Sequence, residues 1–247
     1  MTDLRAGFAS RDITQPLGSP SSLGLHLTVS EIWDPLLASA CVLEGGGERV
    51  AIVGVDLCGL LEASHRAIRE AVAAATGGAI AADRVIVNVS HSHSAPYLSD
   101  ELQELLRPFG LRLQDDDYAA ALPGLVAEAV VEAADRAVPV SVAMGRGRVD
   151  RVAGNRRPRR ADGQVVHRWG RPPQELRDLP EGLIDPDVAV VRFLGADGAG
   201  VGAMMTYACH PTASSEGIPK IVSADFPGHG RAKLEREFGH PFVFLQG

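Results

Sequence analysis

Apolar and polar positions along the chain follow two different periods, and together they predict strands that alternate with helices. Continuous or alternating apolar runs predict β-strands over residues 36–43, 49–57, 84–90, 139–149 and 241–247, and a β-hairpin over 185–209. Apolar residues at helical spacing predict helices over residues 63–77, 115–138 and 224–239. This order of elements favours an α/β fold in which mixed β-sheets are flanked by helices.

Length and composition agree with this fold. The chain has 247 residues, of which 45% are hydrophobic and only 5% aromatic, a mixture that favours tightly packed α/β layers. We therefore expect a single α/β catalytic domain over residues 1–247. The formal net charge of −7 argues against nucleic acid as a partner of the whole surface. No apolar run reaches the ~18 residues of a transmembrane helix.

Three features bear on the compartment and on the ends of the chain. The N-terminal "MTDLRAGFASRDITQP" has acidic residues where a signal peptide needs a basic start, so we expect a cytoplasmic protein, or a secreted one if a leader was removed. The final run "FVFLQG" is typical of a central strand, so we expect that a C-terminal part of the domain follows Gly247 and is missing. The cysteines Cys41, Cys58 and Cys209 lie in apolar contexts and are expected to be reduced core residues.

The stretch "VIVNVSHSHSAP" ends an apolar strand in two histidines flanked by serines. In an extended segment residues two apart face the same side, so His91 and His93 are expected to project together. A pair of imidazoles just past a strand is a common beginning of a zinc site, because the strand fixes their direction. The alternative is a polar turn with one hydrogen-bonded histidine, and the H-x-H spacing alone leaves both interpretations open.

A second apolar run, "MMTYACHPTAS", also ends in a histidine. His210 is followed by Pro211, which ends the strand. A lone histidine in such a place is more often structural than ligating, but its setting is similar to that of His91, and a metal ion needs ligands that converge from different strands. Three histidines would still leave zinc short of its usual four ligands, so others must come from elsewhere.

A basic segment over residues 146–173 offers candidate oxyanion donors. It holds nine arginines, at positions 146, 148, 151, 156, 157, 159, 160, 168 and 171. Only Asp150 and Asp162 oppose them, so most of this positive charge is expected on a solvated loop. Asn155 and Arg156 are the strongest candidates for contact with a substrate carbonyl, because a planar guanidinium suits an oxyanion.

Two aspartates at strand ends have two interpretations each. Asp225, in "IVSADFPGHG", and Asp56, in "VGVDLCG", can each cap a local turn or helix, which is the commoner role. Either carboxylate can instead orient a ligating histidine by accepting a hydrogen bond from the ring nitrogen that does not bind the metal. The remaining histidines have weaker contexts and are expected to be surface or structural residues: His26, His65, His167, His229 and His240.

Taken in order, several stretches resemble the N-terminal catalytic region of the neutral/alkaline non-lysosomal ceramidase family. The matching stretches are "AGFASRDITQP", "SHSHSAP", "VAMGRGRVDRVAGNRR", "DPDVAVVRF", "ACHPT", "VSADFPG" and "FLQG". They cover nearly the whole chain, and their order is more specific than any one of them. The "HSHSAP" here departs slightly from the usual H-T-H-S-G-P, a change that spares the histidines.

The resemblance implies an α/β domain and a Zn²⁺-dependent hydrolysis of the amide in an N-acyl sphingosine, a small amphipathic substrate, through a zinc-activated water. By resemblance the zinc ligands fall on His91 and His210, while His93 lies next to the metal, hydrogen-bonds water or substrate and is expected to transfer the proton. Arg156 matches an arginine of the family's substrate pocket. The family's catalytic serine and the remaining zinc ligands, a glutamate and a tyrosine, would lie beyond Gly247.

Other functions stay open at this point. A homologue in the cytoplasm could hydrolyse another small N-acyl amide or an ester. A protein that kept the fold and lost the chemistry would be a binding module, although two histidine motifs at strand ends argue against that. A metal-dependent phosphoesterase could use the basic loop to hold phosphate, but the His/Asp clusters that hold two metal ions are missing. Oligomeric state has no signal in the sequence.

Overall fold

The computed structural model describes residues 4–168, 172–214 and 220–247. The strands are β1 Arg5–Asp12, β2 Pro20–Ser21, β3 Gly24–Thr28, β4 Glu31–Ile32, β5 Leu37–Gly45, β6 Glu48–Val55, β7 Gly59–Leu60, β8 Val85–Val89, β9 Tyr97–Leu98, β10 Val138–Pro139, β11 Ser141–Arg148, β12 Asp187–Leu194, β13 Gly200–Tyr207, β14 Ile221–Val222 and β15 Phe242–Gln246. The helices are α1 Glu62–Ala75, α2 Asp100–Leu106, α3 Asp116–Asp135, α4 Gln174–Arg177 and α5 Asp225–Phe238, with 3₁₀ turns at Ala82–Arg84 and Arg107–Phe109. Arg171 of the basic segment lies outside the described residues.

The first sheet has the order β10-β1-β5-β6-β8 and is covered on one face by α1 and α3. Its strands are antiparallel except for the parallel pair β6 and β8. Because side chains alternate along a strand, Ala40 and Val42 of β5 face the helices and pack against residues such as Val126 of α3. Cys41, between them, faces the opposite way. Among the described residues no helix is both long and apolar enough to cross a membrane.

The second sheet has the order β11-β12-β13-β15 and lies against the other face of the first sheet. Phe8 and Cys41 of the first sheet pack against Phe193 and Val243 of the second. Helix α5 covers the outer face of β13 and β15, where Phe226 belongs to the apolar cluster. The layers are therefore helices, sheet, sheet and helix, and the prediction of mixed β-sheets flanked by helices is confirmed.

The last predicted strand is β15, which pairs in parallel with β13. The expected central position of residues 241–247 stays a prediction. Its apolar run is covered on both sides among the described residues: one face packs on the first sheet and the other on α5. At Gly54 of β6 the sheets approach so closely that a Cβ would lie 2.3 Å from the carbonyl oxygen of Phe244.

The topology determines where functional groups meet. Strands β6 and β8 are parallel neighbours in one sheet, and β13 and β15 are parallel neighbours in the other. The segments after all four strands come together where the two sheets meet, since β15 contacts both β6 and β8. The carboxyl ends of parallel strands are the common location of sites in α/β proteins.

Candidate metal centre

The imidazoles of His91, His93 and His210 form one cluster at this edge. Ring centroids lie 5.1 Å apart for His91 and His93, 5.0 Å for His91 and His210, and 4.6 Å for His93 and His210. The Nε2 atoms of His93 and His210 are 2.9 Å apart, although the residues are separated by 117 positions in sequence. The structure therefore brings the three histidines together, and their role as ligands stays a prediction.

The histidine pair is brought together by a turn, which differs from the expected extended segment. Strand β8 ends at Val89, and His91 has a φ of +63°, in the left-handed region that non-glycine residues seldom adopt. The hydroxyl of Ser92 is buried and donates to the carbonyl of Ser223 at 2.7 Å. Ser92, the serine between the two histidines, thus anchors the turn inside the protein.

The hydrogen bonding of His91 determines its tautomer. Its Nδ1 lies 2.5 Å from the carbonyl oxygen of Cys58. A carbonyl oxygen can only accept, so Nδ1 carries the hydrogen and the lone pair of Nε2 remains available. A backbone carbonyl behind a ring nitrogen is the usual arrangement for a metal-binding histidine.

The cluster lowers the pKa of two of its histidines, His93 and His210. Burial, followed by the neighbouring rings of His210 and His91, lowers the pKa of His93 to about 4, although Asp225 acts in the other direction. Burial, His91 and the positive charge of Arg156 also lower the pKa of His210. Neutral imidazoles are the form that binds a metal ion, so the lowered pKa values of His93 and His210 suit ligation.

Cys58 also belongs to the candidate metal centre, which the sequence did not indicate. The three cysteines are free and buried, as predicted. Cys58 Sγ nevertheless lies with ring nitrogens of His91 and His93 in a group whose ligand atoms are all within 4.8 Å of one another. The sequence feature that could have identified Cys58 was its position just after β6, because the segment after that strand lies at the same sheet edge as the histidines.

Asp225 anchors the loop that carries His210, and Ser214 of that loop contacts Ser94 in the loop of His93. Its buried Oδ2 accepts hydrogen bonds from both the backbone N–H and the hydroxyl of Ser214, each at 2.6 Å. The Oγ atoms of Ser214 and Ser94 are 3.2 Å apart, and these serines follow His210 and His93 respectively. The side chain does not occupy the N-cap position of α5, which belongs to Ala224. Its predicted effect on a ligating histidine stays a prediction.

Asp56 has a different environment, in spite of its similar place in the sequence. Its Oδ2 accepts from Arg231 Nη2 at 2.8 Å and from the backbone N–H of Leu37 at 2.9 Å. Asp56 and Arg231 are both almost completely buried, so the pair is an internal salt bridge between the end of β6 and helix α5. No described hydrogen bond connects the Asp56 carboxylate to the three histidines. That it orients a metal-binding histidine stays a prediction.

The basic segment is folded around an ion pair between Arg168 and Glu181. Glu181 also accepts from the backbone N–H of Asn155 at 2.8 Å, while Arg168 donates to the Asn155 carbonyl at 3.0 Å. The Asn155 side chain accepts from the N–H of Arg157, so it is used within the loop. Arg156 is exposed, and its charge acts on His210. The loop therefore places Arg156 near the histidine cluster.

A cleft of about 650 Å³ opens beside the histidines. The residues around it are Val87, Asn88, Val89, His91, Ala208, Cys209, His210, Gln246 and Gly247. The side-chain oxygen of Asn88 accepts from the N–H of Gln246 at 2.7 Å, and this bond joins the two sheets at the floor of the cleft. The cleft therefore has apolar walls, an amide at one side and imidazoles at the other.

Comparisons with known proteins agree with the resemblance of the sequence motifs. Residues 26–242 match the family model described as neutral/alkaline non-lysosomal ceramidase, N-terminal. The crystal structure of neutral ceramidase from Pseudomonas aeruginosa superposes with a TM-score of 0.76 at 21% identity, covering 100% of this chain and 38% of that chain. A structure of ceramidase complexed with C2 gives a TM-score of 0.77 at 20% identity, with the same coverage of both chains. The chain thus spans 38% of the length of these ceramidases.

Proposed function

The chain belongs to the neutral/alkaline non-lysosomal ceramidase family, and from this premise we propose that it acts in the zinc-dependent hydrolysis of an amide bond in an N-acyl substrate. The observation that carries the proposal is the convergence of three imidazoles, from both sheets, on one point beside a cleft. His91 and His210 are assigned to the metal, His93 and Arg156 to the substrate and its protons.

The donor set of this cluster fits a zinc ion. Zinc in proteins is held by neutral histidine nitrogens, often with their second nitrogen bonded to a carbonyl. His91 has this arrangement through Cys58, and His210 reaches the same point from the other sheet. When bound, zinc lowers the pKa of a water molecule to about 7 and polarises a carbonyl group.

The remaining roles fall to groups of this chain. His93 is kept unprotonated by burial and by its neighbours, so its ring can accept a proton from the attacking water and return it to the leaving amine. Arg156 lies near His210 and is exposed, so its guanidinium can hold the carbonyl oxygen of the substrate as negative charge develops there. Asn155 is assigned to fixing the loop that presents Arg156.

The cleft indicates the class of substrate. Val87, Val89 and Ala208 provide apolar walls for an acyl chain, whereas the imidazoles lie where a polar amide would be cleaved. This division suits a small amphipathic N-acyl molecule. We propose ceramide as the first substrate to test and a shorter N-acyl amide as the second.

Metal content tests the central assignment. We expect the full chain, after dialysis against zinc, to retain about one zinc ion. The His91→Ala/His210→Ala double variant should retain none, and His65→Ala on α1, outside the cluster, should behave like the wild type. Zinc that persists in the double variant would contradict the assignment.

Substrate assays test the reaction itself. Detergent-solubilised ceramide should be compared with short N-acyl amides and an aryl ester, with and without a chelator. Chelator-sensitive release of fatty acid from ceramide would support the ceramidase activity, and turnover of the short amides alone would redirect the proposal to another N-acyl substrate. A zinc-loaded protein that turns over none of them would favour a binding module.

A further inference from the structure

Both peptide groups that flank Arg156 are held by hydrogen bonds. In the peptide before it, the carbonyl of Asn155 accepts from Arg168 Nη2 at 3.0 Å. In the peptide after it, the carbonyl of Arg156 accepts from the backbone N–H of Arg168 at 2.8 Å. The N–H of that second peptide, which belongs to Arg157, donates to Asn155 Oδ1 at 2.9 Å. Because the two peptide planes set the backbone dihedrals of the residue between them, these bonds fix the direction in which the Arg156 side chain leaves the loop.

Glu181 holds the side chain that makes two of these contacts possible. Its carboxylate forms an ion pair with the largely buried guanidinium of Arg168. The same carboxylate accepts from the N–H of Asn155 at 2.8 Å, although 26 positions separate the two residues in sequence. A Cβ at Gly154 would lie 3.3 Å from Glu181 Oε2, so the glycine lets the carboxylate approach the loop backbone closely. Glu181 therefore connects Arg168 to the segment that carries Arg156.

The planar shape of the Arg168 guanidinium matters for this arrangement. Its N–H groups point in fixed directions, so one side chain contacts the Glu181 carboxylate and the Asn155 carbonyl at a defined angle. Arg168 Nη1 also lies 3.5 Å from the carbonyl oxygens of Leu176 and Arg177 in helix α4, which support the guanidinium from another side. A lysine carries a single ammonium on a flexible stem and would keep the charge without this geometry.

We propose that Glu181 is a positioning residue of the reaction, which acts through Arg168 and the Asn155 backbone to direct the Arg156 guanidinium at the substrate carbonyl. The inference rests on the proposed role of Arg156 and adds the group that sets its orientation. Glu181 itself would contact no substrate. A misplacement of about 1 Å at a group that binds the reacting atoms costs on the order of 100-fold in rate, so a residue behind the loop can control the reaction.

An oxyanion mimic tests the inference without requiring turnover. Octylphosphonate carries negative oxygens on a tetrahedral phosphorus, as the intermediate of amide hydrolysis does on carbon, and an alkyl chain for the apolar walls. Calorimetric titration of the zinc-loaded full chain should give a Kd that rises about 10-fold in Arg156→Ala and by nearly as much in Glu181→Gln. The double variant should bind no more weakly than Arg156→Ala, because residues that act through one contact are not additive. Glu175→Gln, an exposed glutamate of α4, is the matched control and should bind like the wild type.

Arg168→Lys separates positioning from stability and protects the test against misfolding of Glu181→Gln. It keeps a positive charge opposite Glu181, so the melting temperature should stay close to that of the wild type, whereas phosphonate affinity should fall as in Glu181→Gln.

The outcomes distinguish this inference from the proposed function. Full affinity in Glu181→Gln or in Arg168→Lys, together with a loss in Arg156→Ala, would overturn the inference and leave the role of Arg156 intact. Additive losses in the double variant of Glu181 and Arg156 would also overturn it. Wild-type protein that binds no octylphosphonate, or Arg156→Ala that binds it fully, would remove the proposed role of Arg156 and the inference with it.

Discussion

The surroundings of Asp56 and of Asp225 differ, although the two residues look alike in the sequence. Each follows an apolar strand, and their exposed fractions are 2% and 1%. Asp56 forms a charge pair with Arg231, whereas the described donors to Asp225 are neutral: the N–H and hydroxyl of Ser214 and the N–H of Phe226. The first arrangement connects two large elements of the fold. The second anchors the loop of His210, whose Ser214 contacts Ser94 in the loop of His93. We therefore expect the first to govern stability and the second to govern the site.

The largest expected effect is on stability, at the Asp56–Arg231 pair. Arg231→Met leaves the Asp56 carboxylate buried without its charged partner, which should lower the free energy of unfolding by about 3–5 kcal/mol. The double variant Asp56→Asn/Arg231→Met removes both charges and should recover much of this loss. Urea denaturation followed by circular dichroism measures both values. A loss below about 1 kcal/mol in Arg231→Met would show that the pair contributes little.

A smaller loss of stability, with a larger effect on the site, is expected at Asp225. Asp225→Asn replaces an acceptor by a donor opposite the Ser214 groups, or forces the amide to turn, which should cost about 1–3 kcal/mol. Because the loop of His210 would lose its anchor, zinc affinity should fall roughly 10–100-fold. Competition with a chromophoric chelator measures the affinity. Asp197→Asn, in the exposed turn after β12, is the control and should change neither quantity.

Unchanged zinc affinity in Asp225→Asn would contradict the comparison, because the two aspartates would then both be residues of the fold alone. The comparison would also fail if Arg231→Met reduced zinc affinity as much as Asp225→Asn while the protein remained folded, because the buried salt bridge would then affect the site as well.

Ser214→Ala sharpens the comparison by removing only the hydroxyl between the loops. The N–H of Ser214 still reaches Asp225, so the free energy of unfolding should fall by only about 0.5–1.5 kcal/mol. Zinc affinity should lie between those of wild type and Asp225→Asn. Ser141→Ala, on the exposed strand β11, provides the baseline in both measurements. An affinity lower than that of Asp225→Asn would mean that Ser94, and not the carboxylate, is the main partner.

The smallest effect on stability is expected at Arg156, whose charge is exposed. Arg156→Ala should leave the free energy of unfolding within about 0.5 kcal/mol of the wild type. If the guanidinium holds the substrate carbonyl, kcat should fall about 100-fold. Arg151→Ala, another exposed arginine of the same segment, should keep full activity. Equal rates for the two variants would remove Arg156 from the proposed mechanism.

The sequence predicted the elements well where its local pattern was strong. The helix expected over 115–138 is α3, which begins after Asp115, whose side chain accepts from the N–H of Tyr118 at 3.1 Å. The hairpin expected over 185–209 is formed by β12 and β13. The strand expected over 241–247 is β15, and its apolar run shows that both faces are covered without identifying the covering layers, which the structure gives as the first sheet and α5.

The candidate site was predicted in part. His91, His93 and His210 were selected from their places after apolar strands, and the structure brings their rings together. Cys58 was assigned to the core, since burial and apolar neighbours do not distinguish a core thiol from a thiol at a sheet edge. The contacts of these buried groups could not be predicted from local sequence either. Asp56 and Arg231 are 175 residues apart in the sequence, and Ser94 and Ser214 are 120 residues apart.

The sequence by itself determined the α/β class, the family and the histidines that can carry chemistry, because periodicity and short motifs are local properties of the chain. Only the tertiary structure decided that Asp56 is paired with a buried arginine, that Asp225 anchors the loop of His210 and that Cys58 lies beside the rings. The physical reason is that each of these facts depends on the packing of two sheets against each other. That packing brings strand ends together from distant parts of the chain, and no local pattern records which ends will meet.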